Sequence, residues 1–245
     1  MMVDDATDPD LRRSVADDRF PRLILTIDGP AGTGKSSVAM AVADRLGLFV
    51  LDTGAMYRAV AWLVLREGID PHDETAVTAA LDAHAIDVDV EHRPIRILVG
   101  DVEPGDALRS TEVEAIVSTV AALPGVRSRL VEIQREIAER HPRLVTEGRD
   151  QGSTVFPDAT LRFYLTASAE IRADRRVAQR RDEGQVVDRT EILESMEARD
   201  RLDRSRSDAP LVKPTGAVEI DTDELSLDEV VERILDEVRD HGPSS

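Results

Sequence analysis

Gly29, Gly34, Lys35 and Ser36 stand at the spacing G-x-x-x-x-G-K-[ST] within LILTIDGPAGTGKSS, residues 23–37. That spacing does phosphate chemistry. Glycines let the backbone bend tightly and aim successive N–H groups at phosphate oxygens. The helix that follows adds its positive N-terminal end, the lysine reaches the terminal phosphates, and the serine hydroxyl can ligate magnesium. A chance glycine turn would not need its surroundings, and here they fit. Residues 23–27 are an apolar strand run, and helical periodicity resumes at Lys35. The chain is therefore expected to bind a nucleotide.

In open parallel sheets, ligands lie beyond the carboxyl ends of the strands. The polar residues after each predicted strand are residues 28–37, Asp52 and Thr53 with Arg58 a turn later, residues 147–150, and Asp221. Arg58 and Arg149 beside a phosphate loop point to a second phosphate site, because guanidinium holds phosphoryl oxygens in a fixed fork. Residues 172–206 carry ten arginines on two helical stretches around Gly184. Solvated Glu–Arg pairs account for Arg180, Arg181 and Arg189. Arg199, Asp203 and Arg206 recur at roughly helical spacing and suit a closing lid. Phosphoryl transfer needs positioning and positive charge. A hydroxyl acceptor would also need a carboxylate base, whereas a nucleotide phosphate, with a second pKa of about 6, is already ionised. Arginine without an evident base favours a phosphate acceptor.

Strand and helix signals alternate along the chain. Helices are expected at 35–46, 53–65, 75–84, 110–122, 125–140, 167–183, 188–206 and 226–238, and core strands at 23–27, 48–51, 143–146, 161–165 and 217–220. This predicts an α/β, three-layer core with a mostly parallel five-stranded sheet over residues 21–69 and 143–240, its lid at about 172–206. Residues 70–142 are expected as an insertion, because two strand-like runs there flank a turn too short for a parallel crossover. Residues 1–20, polar and acidic, read as a disordered tail.

The net charge is −18, which argues against a general nucleic-acid or anionic-membrane surface. There is no cysteine, so thiolate metal sites and disulfides are excluded. No asparagine occurs, which removes the Asn-Lys-x-Asp signature that reads guanine in many GTPases. No apolar run reaches the ~20 residues of a membrane span, and the start MMVDDATDPD is unlike a signal peptide. A cytoplasmic monomer with small-molecule nucleotides as its partners is expected, without nucleic acid or membrane.

Five segments, GPAGTGKSSVA, LDTGAMYR, EGRDQGSTVFPDA, RDRLDRSRSDAPL and EIDTDELSLDEVV, together resemble the bacterial cytidylate kinases in order and spacing from about residue 23 to 237. The resemblance implies a P-loop nucleoside monophosphate kinase that transfers the γ-phosphoryl of ATP to CMP or dCMP with Mg²⁺. By it, Gly29, Pro30, Ala31, Gly32, Thr33, Gly34, Lys35, Ser36 and Ser37 hold ATP, with Ser36 on the metal. Ser118, Arg127 and Asp150 would read cytosine. Arg58, Arg149 and Arg206 would clamp the acceptor phosphate, Arg199 and Asp203 would face the sugar, and Thr53 and Arg109 lie near the monophosphate. Arg172, Arg175 and Arg176 would be lid arginines; Lys35, Arg149, Arg172 and Arg176 would act on the migrating group. The insertion resembles that family's monophosphate-binding region. Two departures stand out: Ser36-Ser37 where many members have Gly-Thr, and Gln151 where methionine is common, which puts base or sugar preference in question. The alternatives are a kinase of UMP, shikimate or gluconate, and a non-catalytic nucleotide switch. A neutral acceptor would need fewer arginines and a base, and a switch would have no use for a second phosphate site.

Overall fold

Strand β1 (Leu23–Asp28) is buried along its whole length, and its side chains alternate between two cores. Leu23, Leu25 and Ile27 enter one apolar cluster and Ile24 the other, as the two-residue period of a strand covered on both faces requires. The computed structural model describes residues 21–92, 95–182, 184–206 and 209–241, so the expected tail at 1–20 lies outside the described residues. Around β1 the sheet runs β2 (Phe49–Asp52), β5 (Arg143–Gly148), β1, β6 (Leu161–Thr166), β7 (Val218–Asp221). All four pairings are parallel, so the sheet is more uniform than the mostly parallel one expected. Register places Asp28 opposite both Gly148 and Tyr164. The carboxyl ends of β1, β5 and β6 therefore open at one level.

On one face lie α1 (Lys35–Leu46) and α8 (Leu227–Asp240), packed through Val38, Val42, Ile234 and Leu235. On the other lie α2 (Thr53–Glu67), α3 (Glu74–Ala83), α4 (Thr111–Val120) and α5 (Pro124–Arg140). Asp52 starts α2 by accepting from Ala55 N at 2.8 Å, the cap its sequence position predicts. The hairpin β3 (Ile86–Asp89) and β4 (Arg96–Val99) is antiparallel. Its Ile86, Val88, Ile97 and Val99 join the same buried cluster as Met56, Val60, Val117 and Leu130. The expected insertion thus shares the core of one sheet face. Helices α6 (Ala169–Asp182) and α7 (Arg189–Ser205) pack on each other through Ala173, Val177, Ile192 and Met196. Asp188 lies outside α7 as its cap, accepting from Thr190 N and Glu191 N. Two elements have no sequence signal: a 3₁₀ turn at Gly105–Arg109 and a π-helical turn at Gln151–Val155. No helix among the described residues is long and apolar enough to cross a membrane.

Candidate active site

The loop from Gly29 to Gly34 closes over the end of β1. Gly29 has φ +149°, and a Cβ there would lie 2.2 Å from the Leu165 carbonyl oxygen, so β6 admits only glycine. Gly34 opens α1 with no side-chain cap, which leaves the helix's first N–H groups for an anion. Lys35 is 5 % exposed and donates through Nζ to the Pro30 carbonyl at 2.8 Å. Thr33 Oγ1 donates to the same carbonyl at 3.1 Å. Burial, with Arg149 nearby, lowers the Lys35 ammonium to about 7, against the pull of Glu147 and Asp28. A bound anion would reverse that.

Ser36 Oγ donates to Glu147 Oε1 at 2.6 Å. Burial and then Asp52 push the Glu147 carboxyl upward, partly offset by Lys35. A hydroxyl and an enclosed carboxylate are hard oxygen donors, the type Mg²⁺ takes alongside substrate phosphates. Glu147 also fixes the next strand end, since Thr53 Oγ1 donates to its backbone oxygen at 2.8 Å. Ser37 is solvent-exposed beside this pair.

A second group of cations gathers at the ends of β2 and β5 and along α7. Arg149 Nε donates to Asp203 Oδ2 at 2.9 Å, and Arg206 donates to Asp203 Oδ1 at 2.6 Å. Burial would raise the Asp203 carboxyl, but Arg149, Arg206 and Arg199 outweigh it and hold it below its ordinary value. Arg58 donates to Asp52 Oδ2 at 3.1 Å. Arg199 is lowered to about 10 by burial and by Arg149, with Arg58 adding to the effect. Arg58, Arg199 and Arg206 each keep a buried Nε without a hydrogen-bond partner. Guanidiniums crowded to this degree, with unspent donors, lower their energy when an anion arrives.

Arg127 and Asp150 form an ion pair whose side chains are each 4 % exposed, and Arg127 also donates to the Tyr57 hydroxyl at 3.3 Å. Asp150 and Arg127, both expected to read the base, are thus brought together in the interior. Ser118 lies half-buried on α4, one turn beyond Glu114. Arg109 is exposed at the end of the 3₁₀ turn, on the approach to α4.

The three arginines expected in a lid divide into two kinds. Arg172 spends all three nitrogens, on the Ala167 and Ala31 carbonyls at 3.1 and 3.0 Å and on Asp200 at 2.7 Å. Arg175 donates to the Thr222 hydroxyl and carbonyl at 2.9 and 2.5 Å. Both hold the frame in this conformation, and their donors point at backbone oxygen that no sequence pattern marks. Arg176 instead pairs with Glu114 on α4, which Arg180 also contacts at 2.5 Å. Arg180, assigned to a solvated face, is thus part of the same bridge. Gln151 also differs from expectation: its amide oxygen accepts from Thr146 Oγ1 at 2.9 Å inside the core, so it faces β5. Glu147, Asp200, Tyr57, Glu114 and Asp28 join the site without having been assigned roles; of these only Asp28 and Glu147 carry a signal, as strand-end carboxylates.

The chain's residues 25–240 match the family model described as cytidylate kinase. It is 45 % identical over 226 residues to a bifunctional pantoate ligase/cytidylate kinase of Thermosynechococcus vestitus, covering 91 % of this chain and 44 % of that protein. The chain thus spans less than half the length of such bifunctional relatives. A cytidylate kinase of Mycobacterium avium is 43 % identical over 217 residues, covering 89 % of this chain and 95 % of its own. A crystal structure of an uncharacterized protein from Eubacterium ventriosum superposes with TM-score 0.51 at 12 % identity, covering 89 % of this chain and 99 % of that one, which speaks for the fold alone. The sequence match over nearly the whole chain, on a parallel sheet with a phosphate loop at its centre, means that this protein belongs to the cytidylate kinase family.

Proposed function

We propose that the chain transfers the γ-phosphoryl group of ATP to CMP or dCMP, giving ADP and CDP or dCDP. The observation that supports this most directly is the cation cluster of Arg58, Arg149, Arg199 and Arg206 around Asp203, gathered beside Lys35 and the phosphate loop. A donor site and an acceptor site for phosphate face each other across the strand ends. An oxygen of the CMP phosphate attacks the γ-phosphorus, the bond to the β,γ-bridging oxygen breaks, and ADP leaves. That oxygen is already ionised, so the residues position charges and remove no proton.

In this reading the backbone of residues 29–34 and the start of α1 cradle the ATP phosphates, and Lys35 exchanges the Pro30 carbonyl for the terminal phosphates. Ser36 and Glu147 would hold Mg²⁺, which supplies neutralising charge at the β- and γ-phosphates when bound. Arg149 and Arg206 would give up part of their pairing with Asp203 to the acceptor phosphate, freeing the carboxylate for the sugar beside Arg199. Arg176 is the lid cation suited to follow the migrating group, because its tie to Glu114 can be traded for phosphate. Arg172 and Arg175 anchor the lid helix to the loop and to β7. Residues 70–142 serve as the acceptor-binding insertion, and the enzyme acts in the cytoplasm as a monomer.

Cytosine recognition would fall to Asp150 and Ser118, which can accept from the exocyclic amine, while Arg127 donates to the ring nitrogen and carbonyl. A hydroxyl acceptor such as shikimate or gluconate brings one carboxylate and no phosphate, and would leave most of the cation cluster unmatched. Ser118→Ala should narrow the ratio of kcat/KM for CMP over UMP by about 5- to 30-fold, one lost hydrogen bond at 1–2 kcal/mol. Steady-state rates on the two nucleotides measure this, and an unchanged ratio removes Ser118 from base reading.

A further inference from the structure

Asp28, the last residue of β1, stands directly before Gly29 and is fully buried. Its carboxylate reaches the segment that follows β5. Oδ1 accepts from Gln151 N at 2.8 Å and Oδ2 from Gly152 N at 2.7 Å. Those two amides open the π-helical turn that follows Arg149 and Asp150, and the turn lacks any side-chain cap of its own. Asp28 supplies the missing acceptor from another strand, two charge-assisted bonds to consecutive backbone N–H groups.

The turn it grips is tightly seated. A Cβ on Gly152 would lie 2.7 Å from Thr26 Oγ1, and one on Gly148 would lie 2.7 Å from Thr53 Oγ1. Asp150 accepts through its backbone oxygen from Thr154 N and Val155 N at 2.9 and 3.2 Å. Any shift of the turn's first amides therefore moves Asp150, and with it the partner of Arg127. Lys35 and Asp150 both lie within electrostatic range of Asp28.

We infer that Asp28 is a positioning residue for the acceptor: by holding the Gln151 and Gly152 amides it fixes where Arg149 and Asp150 stand, and so governs how well the pyrimidine monophosphate is held. This rests on the function proposed above. It adds to the known loop a link by which the strand that carries the ATP site also sets the geometry of the second site. Both of its carboxylate oxygens are taken up by these amides, so its effect on the acceptor passes through them.

Asp28→Asn tests it, since the amide keeps size and one acceptor but turns an NH₂ group toward the other backbone N–H. Binding of CMP and of a non-hydrolysable ATP analogue is measured separately by calorimetry, with kcat/KM for CMP and UMP alongside. The expected result is a CMP dissociation constant raised about tenfold, an ATP-analogue constant changed less than about threefold, and a narrower CMP:UMP ratio. Both ligands weakened alike, or neither weakened, would overturn the inference. Should Asp28→Asn not fold, Asp28→Glu, which keeps the charge and displaces the turn by a methylene, is read by the same split. A wild-type chain that binds no CMP refutes the proposed function, whereas wild-type binding with an unaffected Asp28 variant refutes only this inference.

Discussion

Lys35→Ala is expected to lower kcat by about 10²- to 10³-fold, the loss that follows removal of one preorganised charge from developing phosphoryl charge. The fold should persist, because Nζ donates to the Pro30 carbonyl of its own loop and Lys35 lies in the first turn of α1. A second readout distinguishes this from general damage. Burial and Arg149 lower the Lys35 ammonium to about 7. A triphosphate stabilises the charged form and raises that value, so at pH 8 ATP binding should take up a proton. Asp28, raised to about 7 by burial, changes in the same direction when an anion approaches. Calorimetry of ATP without acceptor, in buffers of different ionisation enthalpy, should show uptake by the wild type that is reduced in Lys35→Ala. Near-normal turnover in the variant would contradict the assignment.

Arg149→Ala should raise the KM for CMP and lower kcat/KM by about 10²- to 10³-fold while leaving affinity for ATP nearly intact. Arg149 is the guanidinium that links both halves of the site: it pairs with Asp203 and lies close enough to Lys35 and Arg199 to lower both. Its loss leaves Asp203 with Arg206 as a partner, so the stability cost should stay near 1–3 kcal/mol. Steady-state kinetics with each substrate varied, plus a thermal melt, separate the two effects. Equal loss of ATP and CMP affinity would place Arg149 in the donor site.

Much of this was legible in the sequence because it is local. The loop at 29–37, the Asp52 cap and the 86–99 hairpin are each set by residues within about ten positions, and all stand where expected. What was hidden joins distant parts of the chain. Ser36 meets Glu147 across 111 positions, and Asp28 meets Gln151 across 123. Only the central placement of β1 between β5 and β6 brings them together. The π-helical turn escaped notice because its N-terminal acceptor lies on another strand. Arginine was the hardest residue to interpret. Arg172, Arg175 and Arg176 look alike along a helix, yet Arg172 ends on two backbone carbonyls and Asp200, Arg175 on Thr222, and Arg176 on Glu114, a distinction that depends on how α6 sits against the loop, α7, β7 and α4. Ser118, Arg127 and Asp150 are singled out by the family resemblance alone; of the three, Arg127 and Asp150 meet in a buried pair.

The most direct test is a comparison of acceptors with ATP and Mg²⁺, following ADP release with CMP, dCMP, UMP, AMP, GMP, shikimate and gluconate in turn. Highest kcat/KM for CMP or dCMP, with shikimate and gluconate inactive, is the predicted result. Preference for shikimate or gluconate, or ATP binding without turnover of any monophosphate, would contradict the account.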